Sequence, residues 1–163
     1  MIHSIQGGIH IISAVIALLA GTFVLLAKKG TLVHRQVGYV YTAAMVILNV
    51  TAFLIYDLMG HFGPFHIAAI VSSLTLFMGI RAAVQRKSGW YVQHYYYMAW
   101  SVVGLYAAFI AETGVRLVPM GWFWNVVFGS LGVIMFVASR MIRKYAPKSD
   151  AEAPIAQPME TSA

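Results

Sequence analysis

The sequence predicts an all-α integral membrane protein of five transmembrane helices, the first four forming an up-down four-helix bundle and the fifth packing on its periphery. Three observations predict it. Hydrophobic residues make up 60% of the 163 positions and charged residues only 10%, against about 25% charged in an ordinary soluble domain. Five apolar runs, at residues 7–27, 37–58, 64–83, 92–111 and 121–137, approach the roughly 20 residues needed to cross the hydrocarbon. Between them the basic residues recur at every second connection.

Helix one follows Met1-Ile2-His3-Ser4, which lacks the positive region of a secretory signal, and precedes Lys28 and Lys29; it reads as a retained anchor. Gly30 breaks the chain before helix two, the stretch from Gly60 to Pro64 before helix three, Gly89 before helix four, and Pro119 with Gly121 before helix five. Links this short force neighbouring helices to run antiparallel. After Lys144 the chain turns polar and carries Pro147, Pro154 and Pro158. Residues 1–144 are therefore read as the transmembrane domain and 145–163 as a disordered cytoplasmic tail.

The net charge of +6 raises the question of a nucleic-acid partner, and the positions of the cations answer it. Lys28, Lys29 and Arg35 lie between helices one and two, and Arg81, Arg86 and Lys87 between helices three and four. Arg140, Arg143, Lys144 and Lys148 follow helix five, and Arg116 alone sits elsewhere. By the positive-inside rule this places the basic loops and the C-terminus in the cytoplasm and the N-terminus outside. The partner so implied is the lipid bilayer, and no nucleic acid is expected.

Cysteine is absent, which excludes disulfides, thiolate-bound metal and cysteine-held iron–sulfur clusters. Ser72, Ser73 and Ser101 lie inside helices without a neighbouring base and orienting acid, so no nucleophile is indicated. Glycine-rich phosphate loops are also missing. Tyr39, Tyr41, Trp90, Tyr91, Tyr95, Tyr96, Tyr97 and Trp100 crowd one membrane boundary, where aromatic belts explain most of them. Stacking of one or two on a flat cofactor or a quinone is the alternative.

One histidine stands near the start of each of the first four hydrophobic segments: His10, His34, His66 and His94. Ionisable side chains inside a bilayer are costly and mark function. Alternating helix direction sorts them into an outer pair, His10 with His66, and an inner pair, His34 with His94. Each lies on a stripe of largely small residues at helical spacing. The stripes are Gly7, His10, Ala14, Ala17, Gly21 in helix one; His34, Val37, Tyr41, Ala44, Leu48, Thr51 in helix two; His66, Ala69, Ser73, Leu76 in helix three; and His94, Tyr97, Ser101, Gly104, Ala108, Ala111 in helix four. Gly38 follows His34 by one turn. Such stripes serve either close helix packing or room for a large flat ligand, and on the second reading Gly21 opens space at the depth of the inner pair.

In the bundle each pair would face across a diagonal. Neighbouring helices about 8–10 Å apart put diagonal partners on the order of 13 Å apart, too far for two imidazoles to bond directly and suited to an iron porphyrin between them. A bare zinc normally takes three or four protein ligands. Around His34 and His94 the polar neighbours are Arg35, Gln36 and Gln93, with no carboxylate, whereas Arg35 with Lys28, Lys29 and Arg81 suits haem propionates. Near His10 and His66, the side chains of His3, His61, Asp57 and Glu112 leave a zinc or copper site open as an alternative. With about 1.5 Å of rise per residue, two haems would stand on the order of 20 Å apart, a spacing that carries electrons across the membrane.

The segment His34-Arg35-Gln36-Val37-Gly38-Tyr39-Val40-Tyr41, in so small a chain, resembles a family of bacterial predicted membrane proteins of unknown function, over roughly residues 5 to 115. The resemblance implies a multi-pass protein of the bacterial inner membrane and supplies no activity. The pairing of histidines is similar to that of the transmembrane di-haem cytochromes b, in which four helices hold one haem near each membrane face. That similarity implies His10 and His66 as axial ligands of an outer haem b and His34 and His94 as those of an inner one. Many di-haem cytochromes b carry two histidines on one helix, whereas here each helix contributes one. The leading expectation is a haem protein moving electrons across the inner membrane, with a quinone or another redox partner. Its competitors are an outward-facing zinc or copper enzyme and a structural or transport-related subunit whose histidines merely hydrogen-bond at the interface.

Overall fold

The computed structural model describes residues 4–56 and 60–154, and among them the only regular structure is helical. Helix α1 spans Ile5–Leu26 and opens on Ser4, whose hydroxyl accepts from the Gly7 N–H at 3.1 Å, supplying one of the partners that a helix start lacks. At its other end Lys29 donates to the carbonyls of Val24, Leu25 and Ala27 at 2.8, 2.7 and 3.1 Å. Burial lowers the pKa of this ammonium. Helix α2 spans Leu32–Ala52, its first turn closed by Thr31, whose hydroxyl accepts from the His34 N–H at 3.2 Å. Helix α3, Pro64–Gln85, has proline in its first turn, where no N–H is needed. Gly89, at φ +80°, turns the chain into α4, Trp90–Val115. A 3₁₀ turn, Met120–Trp122, leads into α5, Phe123–Tyr145, whose last turn carries Arg143 and Lys144 against the helix dipole.

Four stretches are long and apolar enough to cross a membrane: α1, α3, α4, and α5 together with its 3₁₀ turn. Helix α2 is not among them, although the sequence predicts five spans. It begins at Leu32 rather than at residue 37 and ends at Ala52. It thereby takes His34, Arg35 and Gln36 into its first turns and carries Asn49 near its end. Leu19, Val84, Phe128 and Val133 are 69, 76, 63 and 66% exposed, while His10, Ser13, Asn49, Thr51, His66 and Ser101 are buried. Polar groups inside and large apolar side chains outside are what a lipid solvent demands.

The helices pack in a ring of contacts, α1 against α2 and α4, and α3 against α2 and α4, with α5 lying on α4. Residue pairs give the directions. His10 meets Thr51 and Gly21 meets Tyr41, so α1 and α2 are antiparallel; His10 meets Glu112 and Gly21 meets Val102, so α1 and α4 are antiparallel too. The central core comprises Ala17, Ala20, Tyr41, Ala44, Met45, Leu48, Leu76, Val102 and Leu105. Tyr41 is fully buried at its middle, and its hydroxyl shares a 2.8 Å hydrogen bond with the Ser101 hydroxyl of α4. It is a core residue and not part of an aromatic belt.

Gly21 lies under this ring. A Cβ placed there would stand 2.9 Å from Tyr41 Cε2 and 3.2 Å from Val102 Cγ2. The space the sequence assigns to a ligand at Gly21 is thus filled by Tyr41. Its level is also wrong for the inner pair, since Tyr41 lies seven residues along α2 from His34 (41 − 34), about 10 Å at the helical rise. Close packing explains Gly21.

Of the tail predicted from residue 145 on, residues 145–154 are described and 155–163 lie outside the described residues. Tyr145 ends α5, and a 3₁₀ turn follows at Asp150–Glu152. The Asp150 carboxylate accepts from the Gly89 N–H at 2.7 Å and from the Tyr91 N–H at 3.0 Å, capping α4 from a distant part of the chain. Pro154 lies against Gly30, where a Cβ would stand 2.5 Å from Pro154 Cβ.

Two variants test this packing. Gly21→Ala pushes a methyl group into the Tyr41 ring and should cost about 1–3 kcal/mol, read as a lower unfolding midpoint in detergent; an unchanged midpoint would contradict the contact. Asp150→Ala should cost about 1 kcal/mol, the usual loss for a missing cap, with faster amide exchange at residues 89–91 as the local signature.

Candidate functional site

At the end of the molecule where α2 and α4 begin, His94 is oriented by α3. Its Nδ1 lies 2.9 Å from the Gly79 carbonyl oxygen. A carbonyl only accepts, so Nδ1 carries the proton and the neutral ring keeps a lone pair on Nε2. This is the second-shell arrangement that prepares an imidazole to bind a metal. Gly79 packs closely on α4, and a Cβ there would stand 2.7 Å from Met98 Sδ and 3.2 Å from Tyr97 Cβ, so Met98 would have to shift.

His34 projects from the first turn of α2. Its Nδ1 is buried without a hydrogen-bond partner, and so is Nε of the adjacent Arg35. Gly38, one turn on, is half-buried, yet a Cβ there would meet nothing within 4 Å. Lys29, His34 and His94 lie within range of one another's charge. The predicted inner group is thus gathered at one end: His34, Arg35 and Gly38 from α2 with His94 from α4.

The opposite end is built differently. His66 is the third residue of α3, and its Nδ1 accepts from the Gly63 N–H at 3.1 Å, a capping-box contact. The proton of the neutral ring therefore sits on Nε2, which is buried and has no acceptor. Phe62 stacks on the ring at 4.9 Å and Tyr56 lies at 4.7 Å, centroid to centroid.

His10 is tied to two other helices. Thr51 spends its hydroxyl proton on the carbonyls of Ile47 and Leu48, at 2.8 and 3.0 Å, so at 3.0 Å it accepts from His10 Nδ1–H. The other nitrogen, Nε2, is 3.8 Å from the Glu112 carboxylate, which also takes a 3.1 Å contact from Arg116. His10 thus engages Glu112 and Thr51, and His66 engages Gly63 and its aromatic neighbours; no direct contact joins the two histidines.

Among the described residues no group of three or more His, Asp or Glu side chains is close enough to hold a metal ion. His3 and Asp57, invoked for a zinc or copper site, lie outside the described residues. On α4 the predicted small-residue stripe holds at Ser101 and Ala111, but Gly104 is exposed and the buried face passes through Val102 and Leu105. Sequence reasoning missed the two backbone groups that set the tautomers. The Gly63 contact had a signal, a histidine three residues after a glycine and just behind Pro64; the Gly79 carbonyl had none.

No curated protein and no solved structure matches the chain. A family model described as "Predicted membrane protein (DUF2306)" matches residues 7–146, which takes in α2 to α5 and all but the first two residues of α1, and reaches beyond the stretch that the His34–Tyr41 segment suggested. The chain belongs to this family of membrane proteins of unknown function.

Proposed function

We propose that the chain is a membrane-embedded b-type haem protein that takes part in electron transfer, with haem b held between His34 and His94 at the cytoplasmic end of a four-helix bundle. The observation that carries the reading is the pair of buried polar atoms left without partners at this end, His34 Nδ1 and Arg35 Nε. Both belong to the residues that the sequence marks as a cofactor ligand and its cationic neighbour. Buried polar groups are nearly always satisfied, and those that are not call for a missing partner. Lacking any carboxylate, the donor set of His34, His94 and Arg35 suits an iron porphyrin better than a bare divalent ion.

Within this reading each residue has a task. His94 offers Nε2 because Gly79 holds its Nδ1 proton, and His34 supplies the second imidazole from the diagonal helix. Gly38 leaves room beside it, and Arg35 with Lys29 offsets carboxylate charge. Haem supplies one-electron chemistry; the protein sets its ligation, burial and electrostatics. On this reading the distribution of basic loops supports a cytoplasmic position for this end and an outer N-terminus, and the bacterial inner membrane is the expected site, with a quinone or a redox protein as electron partner. A second haem between His10 and His66 would complete a route to the other face. It requires His66 to give up the Gly63 contact and His10 to turn from Glu112, so the two ends are expected to differ in affinity.

The test is an absorption spectrum of detergent-purified protein from haem-sufficient cells. A Soret band and a sharp α band after dithionite reduction are expected, both lost in His34→Ala and His94→Ala. Extracted haem counted per chain then separates one site from two, and His66→Ala should leave the inner haem in place. A colourless wild-type protein overturns the proposal.

A further inference from the structure

A second, independent feature lies at the same end of the molecule, where α3 hands over to α4. A cavity of about 300 Å³ opens between them, at the low end of small-molecule sites and the size of a headgroup rather than of a whole lipid. Its polar rim is built by Arg81, Gln85, Lys87, Ser88 and Gln93, and its apolar wall by Met78, Ala82 and the indole of Trp90. Among the described residues neither Arg81 nor Lys87 has a carboxylate within salt-bridge distance. Arg81 instead donates to Gln85 Oε1 at 3.3 Å. Arg86, held at φ +47°, adds a third cation, its guanidinium 5.3 Å from the Trp90 ring centroid. Of the nearby carboxylates, Asp150 is engaged by the Gly89 and Tyr91 N–H groups and Glu152 by the Lys148 N–H.

We infer that this cavity binds the phosphate headgroup of an anionic phospholipid. Cationic pockets between helices at a membrane boundary recognise such headgroups, and Arg81 presents the fork of donors that matches phosphate oxygens. The apolar wall decides between a lipid and a free anion. Inorganic phosphate gains nothing from Met78 and Ala82, whereas the glycerol and the first acyl carbons of a lipid lie against them. Trp90 and Arg86 stacked at the opening hold the boundary at headgroup level.

Native mass spectrometry of the full chain, released from bilayers of phosphatidylcholine with phosphatidylglycerol, tests the site and needs no haem. Wild-type protein should retain phosphatidylglycerol over phosphatidylcholine and keep it when millimolar inorganic phosphate is added. R81Q/K87Q should weaken that preference by about 30-fold, about fivefold per cation removed. Arg140→Gln, which removes a cation outside the cavity, should leave it unchanged. Gln93→Glu, which sets a negative charge on the rim of an intact pocket, should also weaken binding and covers the case in which the double variant does not fold. Retention unaffected by R81Q/K87Q and Gln93→Glu, an equal loss in Arg140→Gln, or displacement by inorganic phosphate each overturns the assignment. So does a fall in bound haem with lipid retention intact, which would give these cations to the haem carboxylates instead.

Discussion

A polar group inside hydrocarbon has no water to fall back on, and every buried donor and acceptor of this chain is arranged under that constraint. Most are settled locally. Ser13, Thr22, Thr42, Ser73 and Thr75 return their hydroxyl protons to carbonyls one turn back, at little cost to helix geometry. Others reach across helices: Tyr41 to Ser101, Asn49 to Ser72, Tyr106 to Thr22. Interhelical bonds of this kind contribute about 0.6 kcal/mol each on average, so their value lies as much in fixing the register of one helix against the next. The same constraint gives meaning to the exceptions, because a buried nitrogen without a partner is costly unless something else completes it.

Two of those exceptions are histidines, and the chain treats its histidines in opposite ways. His94 is met by a carbonyl, which draws the proton to Nδ1 and bares Nε2. His66 is met by a backbone N–H, which occupies the Nδ1 lone pair and leaves a proton on Nε2. One arrangement prepares a ligand for a metal and the other a hydrogen-bond donor. The difference comes wholly from where each residue sits in its helix. His66, third in α3, faces the free N–H groups of a helix start, whereas His94, at the start of α4, lies beside a carbonyl of α3.

Much of this was legible in the sequence. Apolar runs and glycine or proline breaks located five helices, and the stripe through Tyr41, Ala44, Leu48 and Thr51 is buried as its spacing indicated. The four histidines stand out by their helical spacing, and Arg35 by its place beside His34. What escaped was set by partners distant in sequence. Helix α2 starts ahead of its apolar run because the Thr31 hydroxyl caps it, so Arg35, expected between helices, is helical along with His34. Gly21 read as free space because a stripe of small residues looks the same whether a ligand or a neighbouring ring covers it. Asp150, in a segment of loop-like composition, caps α4 across 61 residues.

The Tyr41 layer also bears on how the two ends relate. Tyr41, Met45 and Ser101 are each no more than 1% exposed, and Gly21 and Val102 close on the same ring. The middle of the molecule is therefore solid, with side-chain contacts where a cavity would be needed to hold a porphyrin. Any cofactor must lie toward one end or the other, at the level of His34 and His94 or at that of His10 and His66. At the second level the nitrogens are largely committed, to Thr51, Glu112 and Gly63. A cofactor held at that level would require His10 to turn from Glu112, which would keep its 3.1 Å contact with Arg116.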